Sequence, residues 1–112
     1  MWILTPIGFF SIVEKPEDRD SGKLTVRARV REDLEAFKAS CPTLGEIVES
    51  EHTDYRFRAR GPKTDVAAAI GRLVAGIDYD NFKDAVWHRQ CRDRANLYHR
   101  VWDVLYSLQK ER

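Results

Sequence analysis

Two short segments, Val26-Arg27-Ala28-Arg29-Val30-Arg31 and Tyr55-Arg56-Phe57-Arg58-Ala59-Arg60, alternate arginine with apolar or small residues. A period of two belongs to a half-buried strand and is incompatible with the 3.6-residue repeat of a helix. Read as strands, the segments put Arg27, Arg29, Arg31, Arg56, Arg58 and Arg60 on one sheet face. Val26, Ala28, Val30, Tyr55, Phe57 and Ala59 then point the other way, toward whatever covers the sheet. Any fold for this chain has to bury one side of both segments and leave the other accessible to charge.

Each segment is followed by a helical pattern. The first runs from Arg31 to about Ser40, with Leu34, Phe37 and Cys41 at helical spacing; the second runs from Pro62 to Gly76, with Val66, Ile70, Leu73 and Val74 on one stripe. Proline suits an opening helical turn and glycine a stop. A weak repeat reinforces the order, because Ile12-Val13-Glu14 recurs as Ile47-Val48-Glu49 ahead of the second arginine segment. Polar stretches at Pro16 to Lys23 and at Glu51 to Asp54 serve as the hairpin loops, and the apolar run Met1 to Val13 reads as a core strand. The expectation is an α+β fold in which two ββα units form a four-stranded antiparallel sheet with both helices on one face. Its topology resembles the ferredoxin-like sandwiches, a superfold that hosts many functions and assigns none.

A long helix is predicted from Asp80 or Asn81 toward Lys110. About thirty residues would extend about 45 Å, against a radius of gyration near 13 Å for a domain of this size, so the helix must break, bend or find a partner. Its apolar residues spread over roughly 200° of the wheel, about twice what one core-facing stripe needs. Tyr98, Trp102, Leu105 and Tyr106 are therefore candidates for an interface, most simply with a second copy of the chain. One domain over residues 1–112 is expected, with the ββαββα body over 1–80 and the helix over 81–110.

Composition narrows the functional classes. With 112 residues, 43% hydrophobic and 33% charged, the chain has the balance of an ordinary folded domain. A net charge of +1 removes whole-molecule attraction to nucleic acid or anionic membrane, so anion binding has to come from a local patch. Two cysteines, Cys41 and Cys91, lack metal-site or disulfide-framework spacing and suit a reducing compartment, so a cytoplasmic location is expected. The apolar start has no basic leader and is too short to span a bilayer, so no membrane partner is expected.

Chemistry is sparse. His88 and His99 are eleven residues apart on one predicted helix, about 16 Å along its axis, so they and Cys91 cannot converge on a metal. Cys41, before Pro42, reads as packing. His52-Thr53-Asp54 offers a His and an Asp in a loop, where turns favour Asp and Thr for their own backbone bonds. Gly71 and Gly76 lack the spacing and the lysine of a phosphate loop. No catalytic residue, metal or cofactor is expected. The arginine face could hold phosphates or single-stranded nucleic acid, but Tyr55 and Phe57 alternate away from it, leaving Phe9 or Phe10 to stack on bases. Glu14, Glu46, Glu49 and Glu51 are available to convert the row into a neutral ladder.

Several segments in order, WILTPIGFFSIV (2–13), RVREDLE (29–35), TDYRFR (53–58), IDYDNFKD (77–84) and the YxxVWxxLxxLQ pattern (98–109), resemble a widespread group of small bacterial proteins with no established activity. The resemblance implies a bacterial, cytosolic, single-domain protein and adds no catalytic residue. Within it, Tyr79-Asp80-Asn81-Phe82-Lys83 is a polar and aromatic cluster at the junction before the last helix. The expected function is a non-enzymatic protein-binding or adaptor domain, homodimeric through the C-terminal aromatic helix. The alternative is phosphate or nucleic-acid binding through the arginine face.

Overall fold

The computed structural model describes residues 1–110 and divides them into two compact units. The first, Met1–Leu4 with Gly8–Ile77, contains a five-stranded antiparallel sheet. Its strands are β1 (Trp2–Thr5), β2 (Gly8–Val13), β3 (Lys23–Ala28), β4 (Val48–Glu49) and β5 (Phe57–Pro62), in the order β1-β2-β3-β5-β4. The α+β class is as expected. The strand count is not: Met1 to Val13 is a hairpin, because Pro6 and Ile7 reverse the chain, and Met1 and Ile12 exchange main-chain hydrogen bonds of 2.8 Å in both directions. An unbroken apolar run hides a two-residue turn, since both of its strands are rich in the same residue types.

Gly8 makes that hairpin possible. Its φ is +158°, and a Cβ there would lie 2.6 Å from Asp33. The Asp33 carboxylate uses this approach to accept the Phe9 N–H at 3.1 Å. Asp33 sits in the first turn of α1 (Arg31–Ser40), which runs over the residues its pattern predicts and buries Leu34 and Phe37. The second helix, α2 (Lys63–Ala75), starts one residue after Pro62 and stops at Gly76, burying Val66 and Ala69. Both helices cover the sheet face that carries Phe10, Val26, Ala28 and Ala59, all 2% exposed or less. Phe10 meets Phe37 edge-on, with ring centroids 5.1 Å apart.

β3 and β5 form the centre of the sheet, with Arg27 opposite Arg58 and Val26 opposite Ala59. Strand alternation therefore separates the arginines from the helix-covered residues as expected. Val30 and Arg31 leave the pattern because β3 ends at Ala28: Val30 caps α1 and is 36% exposed, and Arg31 opens that helix. Tyr55 leaves it too. It precedes β5, outside the regular pleat, so the period of two does not extend to it, and its ring lies among the arginines.

The second unit comprises Thr5–Ile7 and the chain from Asp78 onward. The single long helix expected here is three: α3 (Phe82–Arg89), α4 (Arg92–Leu105) and α5 (Ser107–Lys110). Asn81 caps α3 by accepting the Asp84 N–H at 3.0 Å. The break falls at Gln90 and Cys91, which take non-helical angles, and the Gln90 side-chain amide donates to the Pro6 carbonyl at 2.9 Å. No glycine or proline marks this break in sequence, which is why period alone missed it. α3 folds back on α4, burying Val86, Ala95 and Tyr98. No helix among the described residues is long and apolar enough to cross a membrane.

Candidate functional site

On the open sheet face, Arg27 and Arg58 sit directly opposite one another, an arrangement that repels unless each charge finds its own partner. Tyr55 serves both. Its ring lies 4.5 Å beneath the Arg27 guanidinium, and its carbonyl accepts from Arg58 Nε at 3.3 Å. Arg27 also donates to the Ser11 hydroxyl at 2.7 Å. Arg29 lies 4.7 Å from the same ring and donates to the Asp54 carbonyl at 3.1 Å. Phe9 packs beside Tyr55, and Trp2 meets Phe9 edge-on, so an aromatic row does interleave with these arginines, contrary to the alternation argument. Tyr55 is only 2% exposed, whereas Trp2 is 72% exposed. Neither the Tyr55 hydroxyl nor Arg27 Nε, both buried, has a hydrogen-bond partner among the described residues.

The remaining arginines are held by acids or carbonyls. Arg56 grips Glu49 with two nitrogens at 2.9 and 2.7 Å and reaches Glu51 at 3.4 Å. The Glu49 hydrogen bond, followed by its charge, moves the Arg56 guanidinium above its ordinary value. Arg58 approaches Asp54 at 3.8 Å, and Arg31 pairs with Glu35 one turn along α1 at 3.0 Å, away from the strand row. Arg60 donates to the buried Asp18 at 2.7 Å. Burial opposes ionisation of Asp18, yet the Lys15 N–H, the Thr25 hydroxyl and Arg60 outweigh it and hold the carboxyl below its usual range. Of the four glutamates expected as ladder partners, Glu49 and Glu51 serve; Glu14 pairs with Lys63 instead, and Glu46 is exposed and forms no ion pair among the described residues. Asp18 and Asp54 supply the rest, and their loop positions gave strand alternation no hold on them.

His52 and Asp54 are both exposed, and the Asp54 carboxylate faces Arg58. Cys41 is buried at the end of α1 and Cys91 is exposed at the start of α4. Among the described residues no group of three His, Cys, Asp or Glu could hold a metal ion.

In the helical unit the proposed interface residues divide. Tyr98 is 5% exposed and stacks on Phe82, with centroids 5.8 Å apart and planes 7° from parallel, so it belongs to the unit's own packing. Trp102, Leu105 and Tyr106 remain exposed. Burial of Tyr98 and Ala95 fixes the orientation of α4 and turns Leu97, Val101 and Val104 to its outer side, while Leu105, seven residues from Tyr98 and so on its side of the helix, is still 56% exposed. Tyr106 keeps helical angles between α4 and α5, which carries the stripe on to Leu108. Residues 80–83 and Tyr98, His99 and Trp102 line an open cavity of about 390 Å³ on another side of the same helix. The cluster singled out before α3 and the aromatics of α4 thus meet, which no linear pattern shows.

Comparison with known proteins finds no matching family model, no matching curated protein and no matching solved structure.

Proposed function

We propose that this protein is a non-enzymatic binding domain that self-associates through the outer stripe of α4. The observation behind this reading is the row Leu97, Val101, Val104 and Leu108, spaced four, three and four residues apart and each 38–71% exposed. That spacing is the a/d seam of a helix pair, and a two-fold axis would set the seam against its identical copy. With Leu105 beside it, the stripe exposes on the order of 450 Å² of apolar residue surface, more than isolated surface residues explain. Burial against an identical stripe removes about twice that before any polar rim is counted, which approaches the roughly 1,000 Å² of a specific interface.

Sedimentation of the full chain at about 50 μM tests the reading against a Kd in the micromolar range. Twice the 13.0 kDa chain mass is expected, with Val101→Asp restoring the single-chain mass while circular dichroism stays unchanged. A wild-type chain at single mass overturns self-association, and a different protein bound at the same stripe would replace it with an adaptor.

A second reading has its own observation, the interleaving of Trp2 and Phe9 with Arg27 and Arg29. Single-stranded nucleic acid on this face would stack on Trp2 and set its phosphates near Arg29. Binding of a random oligonucleotide would then fall steeply with salt and vanish in an Arg27→Ala/Arg29→Ala variant; absence of binding at low salt ends this reading. It ranks second because the guanidinium groups already hold partners within the unit.

A further inference from the structure

We propose that the cavity between the start of α3 and the middle of α4 binds a nucleoside monophosphate. Three kinds of group converge there. The first is stacking surface. Phe82 and the buried Tyr98 form one near-parallel ring pair, and His99 and Trp102 form a second, with centroids 5.4 Å apart and planes 13° from parallel. Trp102 has His99 stacked against it and Tyr106 tilted at 5.3 Å, yet it stays 57% exposed, and that remaining indole surface is open to a flat heterocycle.

The second is a cationic corner. Lys83 Nζ lies 3.4 Å from His99 Nδ1, and Lys83 forms no ion pair with a carboxylate among the described residues. An ammonium that donates to an imidazole nitrogen, with no carboxylate partner among the described residues, suits a phosphate, which takes a charge-assisted hydrogen bond from Lys83. This distinguishes Lys83 from the sheet arginines, whose partners are already in place. The third is an acceptor. Asp80 and Asn81 line the same cavity, and side chains of these types can receive ribose hydroxyls or a base amino group.

A ring alone would need only the stack, and an anion alone only the lysine. Ring, anion and hydrogen-bond donor in one ligand describe a nucleotide. About 390 Å³ lies in the range of small-ligand sites and suits a single nucleotide. The site lies to one side of the outer stripe of α4 and stands independently of self-association.

The test titrates the full-length protein, labelled with ¹⁵N, with AMP, GMP, CMP and UMP up to about 5 mM, and in parallel with adenosine and with inorganic phosphate. At least one monophosphate is expected to bind, with amide shifts concentrated at residues 80–83 and 98–102. Removing either half of the ligand should weaken binding about tenfold or more. Lys83→Ala and Trp102→Ala, both at exposed positions, should each lose about tenfold while keeping the wild-type spectrum elsewhere. The proposal is overturned if none of the four binds, if the shifts fall outside these segments, or if both variants bind as tightly as wild type. A short single-stranded oligonucleotide that binds here while all four monophosphates fail overturns the free nucleotide as ligand.

Discussion

The open face of the sheet and the outer stripe of α4 make opposite use of their side chains. On the sheet, a row that reads as free positive charge proves to be matched within its own unit: Arg56 by Glu49, Arg58 by Asp54, Arg60 by Asp18, and Arg27 and Arg29 by the Tyr55 ring. From α4 into α5, apolar residues beyond what one core-facing stripe needs remain exposed over about three helical turns. A row of charge is therefore weak evidence of a charged partner until its internal counter-groups are counted. An uncompensated apolar row carries more information, because water is the only alternative to a partner.

Breaking the sheet network should give the largest effect. Asp18→Asn leaves Arg60 without its buried carboxylate and should cost about 2–4 kcal/mol, read from urea unfolding. The same residue predicts a pH dependence. Its folded-state value lies below the ordinary one, so its stabilisation is fully present above about pH 4 and is lost as pH falls through the lower folded value. Unfolding curves between pH 6 and 2 should therefore lose less stability in Asp18→Asn than in wild type. A smaller change of opposite sign is expected at Tyr55, whose buried hydroxyl has no partner among the described residues: Tyr55→Phe should be neutral or stabilising by up to about 1 kcal/mol. A clear loss would show that the hydroxyl has a role the ring does not fill. Arg31→Ala removes an exposed pair one helical turn long and should cost at most about 0.5 kcal/mol by the same assay. Smallest of all, Val104→Asp should leave the unfolding free energy within about 0.5 kcal/mol, measured at concentrations where the chain is a monomer. A large loss there would make the stripe core and remove the contrast with the sheet.

How far the sequence was legible depended on whether local pattern and chain reversal coincided. The interiors of β3 and β5 and the span of α1 follow from period alone, since apolar residues there face one covering layer. The β1–β2 hairpin did not, because its turn lies inside an apolar run; Pro6 and Gly8 were its only local signals. Tyr55 was placed on the wrong side by extending a strand two residues too early. The interruption at Gln90 and Cys91 depends on a hydrogen bond to Pro6, 84 residues away, which no window of sequence contains. The cavity was half visible: residues 79–83 were marked as a cluster, and Tyr98 and Trp102 as aromatics of interest. Their meeting requires the turn between α3 and α4.

The brevity of β4 has a consequence for how copies of this protein meet. An outer strand of two residues offers almost no ladder of unpaired main-chain groups, and Glu49 on it is held by Arg56 beside a second acid, Glu51. On that side an incoming strand would have to displace an ion pair for very few hydrogen bonds. Growth of the sheet by edge-to-edge addition there is blocked, so fibre-like stacking through β4 is closed off while the protein stays free to associate by its helices.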